Sequence, residues 1–172
     1  MRRILRSRVT WVLAALATVA LVVALWAFQP WKLFTRSTVD EALPAAPVVA
    51  QVGTPPPAQP KALAEGRFVS QEHETGGTAR VLELPGGERV LRLEGFSTSD
   101  GPDVHVWLSQ ATAGGEWGKY DDGKVVKLGK IKATDGNQNY PIPPDADLAG
   151  LRSVVIWCDR FNVAFGSAAL DL

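Results

Sequence analysis

Cys158, the single cysteine of this sequence, is of a type that ligates metals or exchanges electrons, and only its two histidines, His73 and His105, could join it as soft or borderline ligands. Cys158 ends the run Val154-Val155-Ile156-Trp157-Cys158. Strand alternation there puts Val154, Ile156 and Cys158 on one face and Val155 and Trp157 on the other. Three uses of that thiol are open. It is a small buried hydrophobe, a redox or ligating group, or one half of an intermolecular disulfide, because an unpaired cysteine in an exported domain needs a reason. The flanking charges pull both ways, since Asp159 opposes a thiolate and Arg160 favours it.

His73 lies in the polar stretch Gln71-Glu72-His73-Glu74-Thr75-Gly76-Gly77, which reads as a loop between strands, where sites often lie. His105, in Asp103-Val104-His105-Val106-Trp107-Leu108, falls on the face opposite Val104, Val106 and Leu108 and reads as a solvated or ring-stacked side chain. Cys158 and His73 are therefore the candidate pair, as an imidazole-activated thiol or as two ligands. The cluster Ser99-Asp100-Gly101-Pro102-Asp103 has oxygens for calcium but is first a turn signature.

The missing motifs exclude several chemistries. There is no Cys-x-x-Cys-His for covalent haem, and no second cysteine for a dithiol pair or a structural zinc. A blue-copper site wants a histidine soon after its cysteine and a weak axial ligand, but residues 159–172 hold no histidine and the only methionine is Met1. Gly-x-Ser-x-Gly, His-Glu-x-x-His and P-loop patterns are absent, so nothing supports a hydrolase and no metal set is assigned.

The elements that must hold Cys158 and His73 are short. Residues 80–84, 89–93, 104–108, 125–131, 153–158 and 161–170 read as strands, with a hairpin turn at Leu84-Pro85-Gly86-Gly87-Glu88 that sets Leu82 and Leu84 against Leu91 and Leu93. Asp121-Asp122-Gly123 and Asp135-Gly136-Asn137 read as further turns. Seven or eight strands within residues 61–172 give an all-β fold, an antiparallel β-sandwich of jelly-roll type.

Ahead of this domain, residues 9–28 carry no charge, and as a helix they cover roughly 30 Å, the thickness of a hydrocarbon core. Arg2, Arg3, Arg6 and Arg8 precede the run, so residues 1–8 are expected in the cytoplasm and the C-terminal domain outside it. Trp11, Trp26 and Trp31 suit the headgroup levels, and bulky Trp26 and Phe28 argue against cleavage as a signal peptide. Residues 29–60 then read as a proline-rich linker. Its part from 37 to 60 has six prolines and no aromatic residue, and as an extended disordered tether it reaches up to roughly 70 Å.

Formal charge balances at 18 basic and 18 acidic residues, but the first 36 residues hold six of the basic ones and none of the acidic. The remainder is thus net negative, which excludes nucleic acid as a partner and leaves membrane attachment to the helix alone. Trp117, in a glycine-rich loop, is a candidate contact for a protein partner.

Residues 62–172 resemble the DM13 domain family, named for electron transfer. The resemblance is carried by Gly66-Arg67-Phe68, His73, Gly76-Gly77-Thr78 and Leu91-Arg92-Leu93-Glu94-Gly95-Phe96. It runs on through Gly101-Pro102-Asp103-Val104-His105-Val106-Trp107-Leu108-Ser109 and Asn137-Gln138-Asn139-Tyr140-Pro141-Ile142-Pro143. It ends with Ser153-Val154-Val155-Ile156-Trp157-Cys158 and the following Asp159-Arg160-Phe161-Asn162-Val163-Ala164-Phe165-Gly166. This resemblance implies a β-sandwich whose characteristic cysteine is Cys158 and whose early histidine is His73. It implies redox work through that cysteine, as a bare thiol or through a bound group such as haem, with a redox partner protein; His105 inherits no role from it. The alternative expectation is a non-catalytic cell-surface interaction domain in which Cys158 is structural.

Overall fold

The computed structural model describes residues 7–44 and 59–172. Helix α1 (Arg8–Phe28) buries none of its side chains within the chain, and it is long and apolar enough to cross a membrane. It stops at Gln29, whose left-handed backbone (φ 43°) lets its N–H cap the Leu25 carbonyl, and Pro30 then starts a short 3-10 helix, Pro30–Phe34.

Among the described residues nine strands follow: β1 (Thr38–Asp40), β2 (Lys61–Ser70), β3 (Gly76–Glu83), β4 (Arg89–Ser97), β5 (Val104–Ser109), β6 (Val125–Lys130), β7 (Asp135–Ile142), β8 (Ser153–Cys158) and β9 (Val163–Ala169). They form one curled sheet in the order β1-β7-β4-β3-β2-β9-β8-β5-β6. The long strand β2 makes the curl. Its first part pairs with β3 and its last three residues, Phe68 to Ser70, pair with β9. Two halves of one sheet thereby face each other across a shared core, and the all-β expectation with a single helix holds.

The core contains Val81, Leu91, Leu93, Phe96, Val104, Val106, Leu108, Val154, Ile156, Cys158 and Phe165. Val155 and Trp157 point the other way, into a smaller cluster with Trp107, Tyr120 and Ala164. The alternation read from residues 154–158 is thus the real one. The hairpin facing was read one residue out of step. Leu84 and Glu88 do close the turn, but Val81 lies opposite Leu91 and Ala79 opposite Leu93, while Leu82 lies opposite Val90. A slip of one residue exchanges the two faces of a strand.

Two stretches differ from their sequence signals. Asp135-Gly136-Asn137, expected as a turn, opens strand β7 and pairs on both sides, with β1 and with β4. The glycine there relieves close approach: at φ +102° a Cβ on Gly136 would meet the Val39 carbonyl group, 2.9 Å from its carbon. The start of the expected tether is also packed. Strand β1 adds to β7 in parallel, Arg36 binds Asp135 at 2.6 Å, and the Glu41 carboxylate accepts from Lys132 at 2.7 Å and from the Asn139 N–H at 2.7 Å. Arg92, almost completely buried, donates to the Glu41 carbonyl at 2.6 Å. These polar partners dock a segment whose lack of apolar side chains suggested none. Residues 45–58 of the expected tether lie outside the described residues.

Candidate functional site

Cys158 ends β8 with no exposed surface. Its cross-strand neighbours are Val104 on β5 and Val163 on β9, and it shares the main core with Ile156 and Phe165. Burial pushes its thiol upward; the backbone N–H groups of Phe161, Arg160 and Asp103 pull it down, and the Asp103 charge adds to the rise. The net direction is toward a neutral thiol, the form with little nucleophilicity. Immediately above it, Asp159 to Asn162 form an exposed turn, closed by the Phe161 N–H on the Cys158 carbonyl at 3.3 Å. Asn162 takes φ 56° to complete that turn, a conformation Asn tolerates better than most residues.

His73 sits between β2 and β3, held by its N–H on the Phe165 carbonyl at 3.2 Å. Its Nε2 meets Glu72 at 2.7 Å and its ring packs edge-on against Phe165, with centroids 4.0 Å apart. Phe165 therefore touches His73 and belongs to the core that holds Cys158. Among the described residues no hydrogen bond or ion pair joins Cys158 to either histidine.

His105 is not simply solvated. Its Nε2 lies 3.0 Å from Asp103 Oδ1, which also accepts from Lys130 at 2.8 Å, and these partners, Lys130 first, hold the Asp103 carboxyl below its ordinary range. Asp159 joins them because its N–H bonds the Asp103 carbonyl across the strand ends, and it accepts from Trp157 Nε1 at 3.1 Å. Asp103, His105 and Asp159 could offer three ligand atoms within 4.8 Å of one another, with Lys130 supplying the cationic charge there. The alternation of Asp103 and His105 was visible in sequence, but the arrival of Asp159 depends on the pairing of β5 with β8. Asp100, weighed for calcium, instead takes hydrogen bonds from Lys32, Thr35 and the Gly101 N–H. Trp117 stays 49 % exposed.

Helix α1 and the domain meet beside His73. Phe28 at the end of α1 stacks on Phe161 at 5.6 Å, and Arg160 lies 5.3 Å from the Trp26 ring and reaches the Ala27 carbonyl at 3.4 Å. Lys32 donates to the Gly101 carbonyl at 2.8 Å. Between these contacts lies a cavity of about 300 Å³ whose wall includes Phe28, Leu33, His73, Phe161 and Phe165 but not Cys158. The haem expectation can be tested on this arrangement. The Cys158 sulfur is enclosed by core side chains and backbone N–H groups and lines no part of the cavity, so it offers no face to a haem iron and these residues do not fit the group.

No curated protein and no solved structure matches the chain. The stretch that carries the buried thiol, the His73 loop and strands β3 to β9 is matched, over residues 67–170, by the sequence model of the family described as Electron transfer DM13, and the chain belongs to that family.

Proposed function

We propose that this protein is an electron-transfer module fixed to the cytoplasmic membrane by α1, with its N-terminus inside, its domain (residues 61–172) outside, and Cys158 as the redox group. Family membership carries the reading. Cys158 supports it by its position, since the only thiol lies directly under an exposed turn that touches the anchor. Reaction of the thiol requires the 159–162 turn to open, because burial both blocks access and disfavours the thiolate. The partner is a protein or small carrier that approaches at this turn.

Electron exchange with a soluble one-electron oxidant, in which Cys158 gives an electron to the mediator and its proton to water to leave a thiyl radical, followed in the membrane-embedded protein and in Cys158→Ala, tests the role of the thiol. The parent is expected to exchange electrons and the variant to lose that exchange while keeping its β-sheet signal. Native thiol labelling should be slow in the parent and at least tenfold faster in Phe161→Ala. An alanine variant that exchanges electrons like the parent overturns the redox role. It would favour the second reading, a cell-surface domain with a structural Cys158, which the complete burial of the thiol supports.

A further inference from the structure

We propose that the cavity between the end of α1 and the His73 loop binds the ring of a lipid-borne quinone. The inference rests on the electron-transfer reading for its choice of a redox-active ring, and on the cavity for everything else.

Size comes first. A dry cavity of about 150 Å³ takes one benzene, so about 300 Å³ suits a ring with several small substituents or a fused pair. The walls suit a flat apolar body. Phe28 and Phe161, which stack on each other, line it together with Phe165, Pro30 and Pro102. A hydrocarbon chain would be served by such walls alone, yet the lining also includes Lys32, Glu72, His73 and Asp100. Lys32 is tied to Asp100 and to the Gly101 carbonyl, and Glu72 is tied to His73 Nε2. Among the described residues His73 Nδ1 has no hydrogen-bond partner; as a bare nitrogen it accepts from a quinol hydroxyl, and in the doubly protonated ring that pairs with Glu72 its N–H donates to a quinone carbonyl.

Location selects the source. The cavity opens where α1 ends, at the level of Trp26 and Trp31, the ring types that settle at the membrane–water interface. Leu33 on its wall is 59 % exposed. A ring entering here keeps an isoprenoid tail in the bilayer, which a water-soluble carrier would not need.

The test uses the full chain in phosphatidylcholine nanodiscs. The probe is tetramethyl-1,4-benzoquinone, which has no open ring position for thiol addition, beside 1,2,4,5-tetramethylbenzene, which has the same body without carbonyls. Equilibrium dialysis should show quinone binding that weakens at least tenfold in Leu33→Trp, whose added ring fills the cavity from an exposed position. The hydrocarbon should bind at least tenfold more weakly than the quinone, and His73→Leu should abolish that preference. Unchanged quinone binding in Leu33→Trp, or equal binding of the two probes, overturns the site. If the parent binds the quinone by these criteria yet exchanges no electrons with a soluble mediator, the site stands and the electron-transfer reading falls.

Discussion

Replacing Gly136 by alanine should destabilise the full chain by about 4 kcal/mol through two separable effects. The first is local, because a side chain at φ +102° costs about 1–3 kcal/mol. The second acts through β1. The new Cβ would sit against the Val39 carbonyl, and backing β1 away by about 1 Å takes its flanking bonds out of range. Those bonds run from the Asp135 N–H to the Ser37 carbonyl at 3.0 Å and from the Glu41 N–H to the Asn137 carbonyl at 2.9 Å. At about 1 kcal/mol each, they bring the sum near 4 kcal/mol, or roughly 15 °C in Tm for a domain of this size. Thermal melts by circular dichroism, run on the full chain and on a chain beginning at Lys61, separate the two effects as a double-mutant cycle. Without β1 only the backbone strain remains, and the loss should fall by about half. Equal losses in both chains would refute the steric role of β1, and no loss in the full chain would refute the argument altogether.

Tyr140 provides an alkaline signature. Burial pushes its hydroxyl up to about 12, so above pH 10 the unfolded chain releases a proton that the folded chain retains, and stability falls between about pH 10 and 12 by on the order of 2–3 kcal/mol. Tyr140→Phe should flatten that limb of the pH–stability curve. At neutral pH it should cost about 1–3 kcal/mol, since Gln138 Oε1 loses its 2.6 Å donor and the Lys132 N–H its acceptor. Glu41 gives the acid counterpart. Lys132 first, then the Asn139 N–H, hold its carboxyl below the ordinary range, so its contribution is present above the unfolded value of about 4.3 and is lost as pH falls through the folded one. Glu41→Gln should therefore lower Tm at pH 7, by an amount that shrinks steadily as pH falls below about 4.

Period-two alternation sorted residues 154–158 correctly because that needs only strand geometry, whichever face meets the larger core, and no cross-strand register. It misjudged residues 81–84 because Val81, Leu82 and Leu84 offer apolar side chains to both faces, so composition alone does not fix the register. Asp135-Gly136-Asn137 carried a turn signature, yet Gly136 serves to admit a neighbouring backbone, one of the two usual meanings of glycine inside a strand. Strand β1 was illegible because polar partners far along the chain dock it: Asp135 for Arg36, Lys132 for Glu41, and the Glu41 carbonyl for Arg92. The cavity was hidden for the same reason. Its wall gathers residues near 28–33, 72–73, 100–102 and 161–165, and no local pattern announces that meeting.

The packed start of the linker also changes how the domain relates to helix α1. An extended tether would let the domain work well away from the lipid, and any partner would then be soluble or carried on another surface. Residues 29–44 instead run from the helix end onto the edge of β7, so the span between β1 and β2 connects two strands of one sheet. With the stand-off removed, the turn over Cys158 rests against the last turn of α1 through Phe161 and Arg160. Phe161 thus belongs both to that turn and to the wall of the cavity. Phe165, which lines the cavity and also packs in the core that holds Cys158, is the side chain that lies between the two.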